Sequence, residues 1–415
     1  MHLARVAISG AGLAGLTLAR ILYRAGLDVT VYERDRTIDS RYAGYRVHIN
    51  SSGTTALREA LDTEMWQAFV ASAGTPADDM KLFDEQLRPG PERSNRDSAG
   101  IGRSADDIPE HLAVCRETIR RLLLLGFETN VQFASQVVGY TELPCGRVRV
   151  HLDDGRSDDV DLLVAADGIN SAVRAQRLPH MKVVDLGSRH VAAKVPLNDD
   201  TVAQLPPEFF CLFALASNAD KDGLTFGPMV RNDPGHRALK SLPSDLRAVV
   251  ANNYALSIFN TTAAKCLDDN EFFALNGTQL KQYVRTRTAS WDHRLQRVVE
   301  LWDADTAQAL ALRSCVPVDP WAPSNITMIG DSVHAMSSAL GIGANTALRD
   351  AFELGIRIRA AARSRSNIVG AVADYENIMR DYAFNAVRAS ARIGQWVIGH
   401  DDIVAPDASN LGGVG

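Results

Sequence analysis

Val6-Ala7-Ile8-Ser9-Gly10-Ala11-Gly12-Leu13-Ala14-Gly15-Leu16 is the stretch on which the fold turns. Its first four residues form the short pattern of a buried strand. Gly10, Gly12 and Gly15 then permit a tight turn and close backbone approach to a pyrophosphate, while Leu13, Leu16, Ile21 and Leu22 give the following segment an apolar helical face. The free N–H groups at the start of that helix, around Leu13 and Ala14, are donors for phosphate oxygens. Val29-Thr30-Val31-Tyr32 reads as the next strand and ends on Glu33, with Arg34 beside it. A carboxylate there accepts both hydroxyls of an adenosine ribose and repels a 2′-phosphate. The unit is therefore read as a site for FAD or NAD rather than NADP, against the plain reading of a Gly-rich turn with an exposed Glu.

Two further signals lie far along the chain. Ala166-Asp167-Gly168 follows the apolar run Val160 to Ala165 and precedes Asn170-Ser171-Ala172-Val173-Arg174. Ile329-Gly330-Asp331 follows Ile326-Thr327-Met328, and Gly341-Ile342-Gly343-Ala344-Asn345 comes after it, ahead of an apolar helical run. Three such signals in this order point to one cofactor held along its full length, which favours FAD.

The rest of the chain bounds the reading. At 415 residues it is long enough for two domains, and its 46% apolar and 23% charged residues are ordinary for a soluble protein. A net charge of -6 without a basic tract gives no support for a nucleic-acid partner. The five cysteines are scattered, without CxxC or Cys/His metal spacing, and suit buried thiols in a reducing compartment. The first strand begins almost at once, and no apolar run reaches transmembrane length; Leu122 to Leu125 is far too short. The expectation is a cytoplasmic monomer or homodimer with no integral membrane association.

The domains read as interleaved. Residues 1–75, 111–179 and 286–365 are assigned to a nucleotide-binding part, and 76–110 and 180–285 to a substrate part built on a separate sheet. Residues 366–400 form a C-terminal helix, and the tail 401–415 is expected to fray. The polar stretch 91–108 is either a substrate lid or locally disordered.

At these three motifs the sequence resembles the class A flavoprotein monooxygenases of the aromatic-hydroxylase type, including those that act on polyketides and tetracyclines. The resemblance covers residues 5 to about 385. It implies an α/β fold: a Rossmann-like FAD-binding domain interleaved with a mostly antiparallel-sheet substrate domain, braced by a C-terminal helix. It matches Gly10, Gly12 and Gly15 to the pyrophosphate turn, Glu33 to the ribose acid, and Arg116 to an arginine near the FAD phosphates. By chemistry alone Arg116 either grips phosphate in a fork or pairs with Glu117 or Glu110. Asp167-Gly168 matches an element associated with FAD and nicotinamide, or else Asp167 is a turn cap; Arg174 orients that region or lies at the surface. Asp331 matches the acid that binds the ribityl chain, and the N–H groups of Gly341, Gly343, Ala344 and Asn345 match those facing the flavin pyrimidine edge.

One departure stands out. Family members commonly carry a proline between the motif histidine and the later glycine pair, whereas His334-Ala335-Met336-Ser337-Ser338-Ala339-Leu340 has none. His334 itself reads as a local hydrogen-bonding residue rather than a base.

The implied chemistry is reduction of FAD by NADPH or NADH, formation of a flavin C4a-hydroperoxide with molecular oxygen, and transfer of one oxygen to an aromatic or polyketide-like small molecule. Epoxidation, Baeyer–Villiger insertion and a catalytically weak FAD-bound binding protein are the alternatives. No Trp-x-Trp-x-Ile-Pro halogenase motif is present. In Gly44 to Asn50, alternation places Arg46, His48 and Asn50 on one strand face, making Arg46 and His48 the candidates for substrate positioning or catalysis, with a structural hydrogen bond as the other role of His48. Phe213, Phe226 and Met229 either line an apolar substrate pocket or fill the sheet core.

Overall fold

The computed structural model describes residues 4–40, 45–74, 79–90, 93–94, 111–233, 235–364 and 366–403. Apart from residues 93–94, the stretch read as lid or disorder lies outside them. A five-stranded parallel sheet runs in the order Ile326–Met328, Leu162–Ala165, Arg5–Ser9, Asp28–Tyr32, Val131–Gln132. Arg5–Ser9 is central because its residues can be buried on both faces: Val6, Ala7 and Ile8 are at most 1% exposed. The chain leaves it to one side through Leu13–Arg24 and Asp28–Tyr32, and the other side is filled only much later by Leu162–Ala165. That reversal of strand order opens a crevice at the carboxyl edge of the sheet.

A second sheet has seven strands: Asp303–Cys315, Val183–Pro196, Tyr254–Thr262, Gly223–Met229, Phe213–Ser217, Asp79–Asp84 and Arg93–Ser94. It is antiparallel except where Phe213–Ser217 pairs with Asp79–Asp84. One face of it buries Val191, Ala193, Val195, Leu224, Phe226 and Phe259 in a core of their own, together with Leu295, Val298 and Val299 of the helix His293–Glu300. The sequence division places residues 286–365 wholly with the nucleotide-binding part; here His293–Glu300 and Asp303–Cys315 belong to the second core and sheet. Asp303–Cys315 carries Asp, Thr, Gln and Ala at mostly half-exposed positions, so it lacks the apolar alternation that marks a strand.

A two-stranded ribbon, Arg46–Asn50 against His111–Cys115, lies between the halves. The last two long helices, Gly343–Ser364 and Ile368–Val397, pack along the parallel sheet. Ile368–Val397 buries Tyr375 and Met379 there, where Tyr375 donates to the Met328 carbonyl at 3.1 Å, and its far end packs Val387 and Ala391 on Leu186 of the second sheet. It braces both halves, as the expected C-terminal helix should. The frayed tail needs correcting at its start: Asp401 N–H donates to the Leu186 carbonyl at 2.8 Å and Ile403 is buried, while residues 404–415 lie outside the described part.

Among the described residues no helix is long and apolar enough to cross a membrane. None of the five cysteines forms a disulfide.

Candidate active site

Three strand ends bring the three motifs together. Ser9 is in register with Ala165, and Ala165 with Met328, so Gly10, Ala166-Asp167 and Gly330 leave the same edge side by side. Gly10 has φ +105°, and a Cβ on it would lie 2.4 Å from the Ala166 carbonyl oxygen; one on Gly15 would lie 2.1 Å from the Gly10 oxygen. Those two glycines exist for backbone packing. Gly12 differs: it is the N-cap of Leu13–Arg24, no side chain caps that end, and nothing lies within 4 Å of where its Cβ would be. An uncapped helix start facing open space is what a pyrophosphate requires, so these residues fit the cofactor the sequence implies.

Glu33 is 6% exposed and already organised. Its Oε2 accepts the Ala11 N–H at 2.7 Å and its Oε1 the Asp35 N–H at 2.9 Å. Sequence reasoning missed the group beside it. Arg120, buried in the helix Arg116–Leu124, donates from Nε to the Ala11 carbonyl at 2.8 Å and from Nη1 to the Ile38 carbonyl at 3.2 Å, with Nη2 3.7 Å from Glu33 Oε2. Arg120 lies four residues after Arg116, on the same helical face, but nothing local ties it to Ala11 or Glu33. Arg116 opens the helix half-buried, its guanidinium 5.5 Å from the Tyr45 ring centroid. Arg34 is exposed.

Asp167 and Asp331 stand at the other two strand ends. Burial pushes the Asp167 carboxyl above its usual range, against hydrogen bonds from Ser171 and Ser9, and its Oδ1 is buried without a hydrogen-bond partner among the described residues. Asp331 is exposed, with no side-chain hydrogen bond among the described residues. Gly330, at φ +63°, aims it. Behind this turn Asp350 Oδ2 accepts the Gly330 N–H at 2.7 Å and meets His334 Nε2 at 2.5 Å, while its Oδ1 accepts from Tyr382 at 2.5 Å. Burial opposes a charge on His334, but the Asp350 carboxylate outweighs it and raises the imidazole above its ordinary value. Arg174, which read as a surface residue without the resemblance, is 7% exposed and donates to the Ile169 carbonyl at 2.8 Å and the Ser332 carbonyl at 3.1 Å, joining the second motif to the third.

Gly341 adopts φ +63°, and Gly343 and Ala344 are half-buried at the start of Gly343–Ser364. The Asn345 side chain is turned to another partner: its Nδ2 donates to the His48 carbonyl at 2.8 Å and its Oδ1 accepts the Asn50 N–H at 2.9 Å. Only its backbone is left for a ligand, and the side chain fixes the Arg46–Asn50 strand to this helix.

Arg46 reaches the second sheet. It donates from Nε to the Pro228 carbonyl at 3.0 Å and from Nη2 to the Leu212 carbonyl at 3.3 Å, and its guanidinium lies 4.3 Å from the Phe213 ring centroid. Burial lowers it to about 10, and its Nη1 has no hydrogen-bond partner among the described residues. His48 Nε2 meets His111 Nδ1 at 2.6 Å; burial first, then His111 and Arg46, push His48 down to about 3. A strongly depressed imidazole is a weak proton acceptor near neutrality.

The three apolar candidates divide by strand parity. Phe213 packs over Gly227, where a Cβ would lie 2.7 Å from its ring, and Met229 clusters with Cys115 and Tyr254, so both are on the face toward the ribbon. Phe226, an odd number of residues from both Gly227 and Met229, is 0% exposed on the opposite face against Phe209 and Phe210. It is sheet core and not pocket lining.

A family model described as an FAD binding domain matches residues 4–240 and 290–389. The chain is 27% identical over 423 residues to a dual O-methyltransferase/FAD-dependent monooxygenase of Phaeosphaeria nodorum, covering 93% of this chain and 45% of that protein. It therefore spans under half the length of that relative. It is 25% identical over 394 residues to the aurachin C monooxygenase/isomerase of Stigmatella aurantiaca, covering 94% of this chain and 88% of that one. Among solved structures, a protein of Photorhabdus luminescens described as an FAD-containing monooxygenase superposes with a TM-score of 0.79 at 29% identity, covering 95% of this chain and 99% of that one.

Proposed function

We propose that this chain, which belongs to the FAD binding domain family, is a monooxygenase that uses NADPH or NADH and molecular oxygen to hydroxylate an aromatic, polyketide-like or comparable multi-ring small molecule. The observation that carries the proposal is the convergence of Gly10, Asp167 and Gly330-Asp331 at one sheet edge, with the Phe213 and Met229 face of the second sheet across the ribbon from it. FAD, held by these residues, would supply the redox chemistry between reduced nicotinamide and molecular oxygen.

The chain's own residues bind and orient. The N–H groups of Leu13 and Ala14 and the Arg116 guanidinium serve the phosphates, Glu33 the adenosine ribose and Asp331 the ribityl hydroxyls. The N–H groups of Gly343, Ala344 and Asn345, at the start of Gly343–Ser364, are the donors for the flavin pyrimidine edge, whereas the Gly341 N–H is held by the Ser338 carbonyl at 2.9 Å. Arg46 holds the substrate sheet against the ribbon through two carbonyls, which keeps the apolar face of Phe213 and Met229 in place for the substrate. His48, depressed by burial and by two neighbouring cations or imidazoles, positions rather than abstracts a proton.

The test is oxygen incorporation. One portion of purified protein is denatured to identify the released flavin; a second, native portion is turned over with reduced nicotinamide, isotopic molecular oxygen and candidate multi-ring phenols. A product heavier by one labelled oxygen supports the proposal. Label entering from water, or a dehydrogenated product without added oxygen, contradicts it.

A further inference from the structure

Without the proline of the family it resembles, the segment Ala335 to Leu340 has an extra degree of backbone freedom. It joins the helix Asp331–His334 to Gly341, whose N–H donates back to the Ser338 carbonyl, so its shape sets where the Gly343–Asn345 donors stand. The structure supplies another restraint. Ser337 is the N-cap of the short 3-10 turn Ser338–Leu340, and its Oγ accepts the Ala339 N–H at 3.3 Å. The same Oγ lies 3.0 Å from Nε2 of His400, with Ser337 and His400 both buried.

His400 is 63 residues away in sequence, and several features exist to bring it there. Gly399, at φ +76°, turns the chain off the end of Ile368–Val397, and the Ile398 and Gly399 N–H groups both donate to the Gly394 carbonyl. Gly394 makes room for the ring: a Cβ there would lie 1.7 Å from His400 Nε2. His400 Nδ1 is 2.8 Å from the Asp401 carbonyl oxygen, so Nδ1 carries the proton and donates, leaving Nε2 to accept from the Ser337 hydroxyl. The next N–H, of Asp401, is tied to Leu186 in the second sheet. A parallel contact adds to this: Ser390 Oγ donates to Met336 Sδ at 3.6 Å, and Met336 packs among Leu186, Val387, Ala391 and Ile403.

We propose that His400 is a positioning residue for the flavin site: through Ser337 it holds the Ala335–Leu340 segment in one conformation, doing from outside the loop what a proline does from within it. The proposal rests on the FAD reading for its functional consequence, though not for the restraint itself. A segment released from His400 leaves the flavin-facing donors mobile and admits water, so reduced nicotinamide is consumed without oxygen transfer.

The test exploits a position where proline fits. Ser338 is the first residue of its 3-10 turn, and Ser337 before it has ψ 143°, the extended conformation that a following proline imposes. In FAD-free protein, His400→Ala raises amide hydrogen exchange across 335–341 by about tenfold. Ser338→Pro in that background brings it back toward the original rate. Ser337→Ala, which deletes the same bond without touching the helix end, serves if His400→Ala fails to fold, and it raises the same amides. In FAD-loaded protein, His400→Ala keeps its flavin but yields less product per nicotinamide oxidised, and Ser338→Pro restores the ratio. Unchanged exchange in both single variants overturns the proposal. So does raised exchange that the proline leaves unaltered. Failure of the FAD reading shows separately, as no flavin on denaturing the original protein, while the exchange measurement still reports on the restraint.

Discussion

Arg120 Nη2 stands 3.7 Å from Glu33 Oε2, with both side chains buried and both also bonded to the backbone of Ala11. Glu33, the turn at Ala11 and this arginine therefore form one hydrogen-bonded unit. Removing one member of a buried ion pair costs about 3–5 kcal/mol. Arg120→Met is expected to destabilise the FAD-free protein on that scale in denaturant unfolding and to weaken FAD binding. Glu33→Gln in the same background recovers part of the stability, because the stranded charge is gone. Strict additivity of the two substitutions would falsify the unit.

Asp331 presents the opposite case. It is exposed and makes no side-chain hydrogen bond among the described residues, so the folded chain has little to lose from Asp331→Ala. FAD binding should lose about 1.5–3 kcal/mol, roughly ten- to a hundredfold in Kd. Arg116→Ala is expected to follow the same pattern, since among the described residues its guanidinium meets the Tyr45 ring, 5.5 Å away, and no carboxylate. Flavin fluorescence titration together with apo-protein melting separates the two effects; equal losses in both would remove these residues from the cofactor site.

Parity in the second sheet separates packing from recognition. Phe226→Ala should cost about 3–5 kcal/mol of stability, as expected for a fully buried aromatic, and leave KM for the substrate unchanged in whatever protein remains folded. Phe213→Leu should raise KM with a smaller stability loss, because its ring is half-buried beside Arg46. Steady-state kinetics and chemical unfolding on the pair check this, and a KM shift confined to Phe226 would reverse the assignment of faces.

Two histidines give an acid limb to stability. Burial lowers His190 to about 4 from an ordinary 6.5, with His400 adding to the effect, and burial lowers His48 to about 3. In both, the unfolded chain takes up a proton that the folded chain refuses. Their contribution is fully present above about pH 6.5 and is lost progressively as pH falls toward those folded values. His190→Gln should flatten the fall in unfolding free energy between pH 6.5 and 4. The activity profile should show no inflection near pH 6.5 from His48, and a phenolic substrate should gain no selective high-pH rescue in His48→Ala.

The nucleotide-binding half was legible because its signals are local. A strand with three successive apolar residues, Gly10 and Gly15 at positions where a Cβ would strike a carbonyl, and an acid at the next strand end are all contained in one short window around Gly10 and Glu33. The resemblance extended that reading to Asp331 and to the bracing helix. What lay beyond reach depended on partners remote in sequence. Arg120 acquires its role only when its helix comes to rest under Ala11 and Glu33, and Asp350 only when it reaches Gly330 and His334. The face on which Phe226 lies follows from register with Ala214 and Ser257, which no local pattern reveals in a strand apolar on both sides. Asp303–Cys315 is a strand because Val183–Pro196 offers it an edge to pair with, its own residues being too polar to announce it. Composition and periodicity determine an element where it carries its own apolar pattern, as around Gly10; side-chain partnership, and the face of a strand apolar on both sides, are properties of the packed chain, since a hydrogen bond or a buried charge has meaning only once both ends have been brought out of water together.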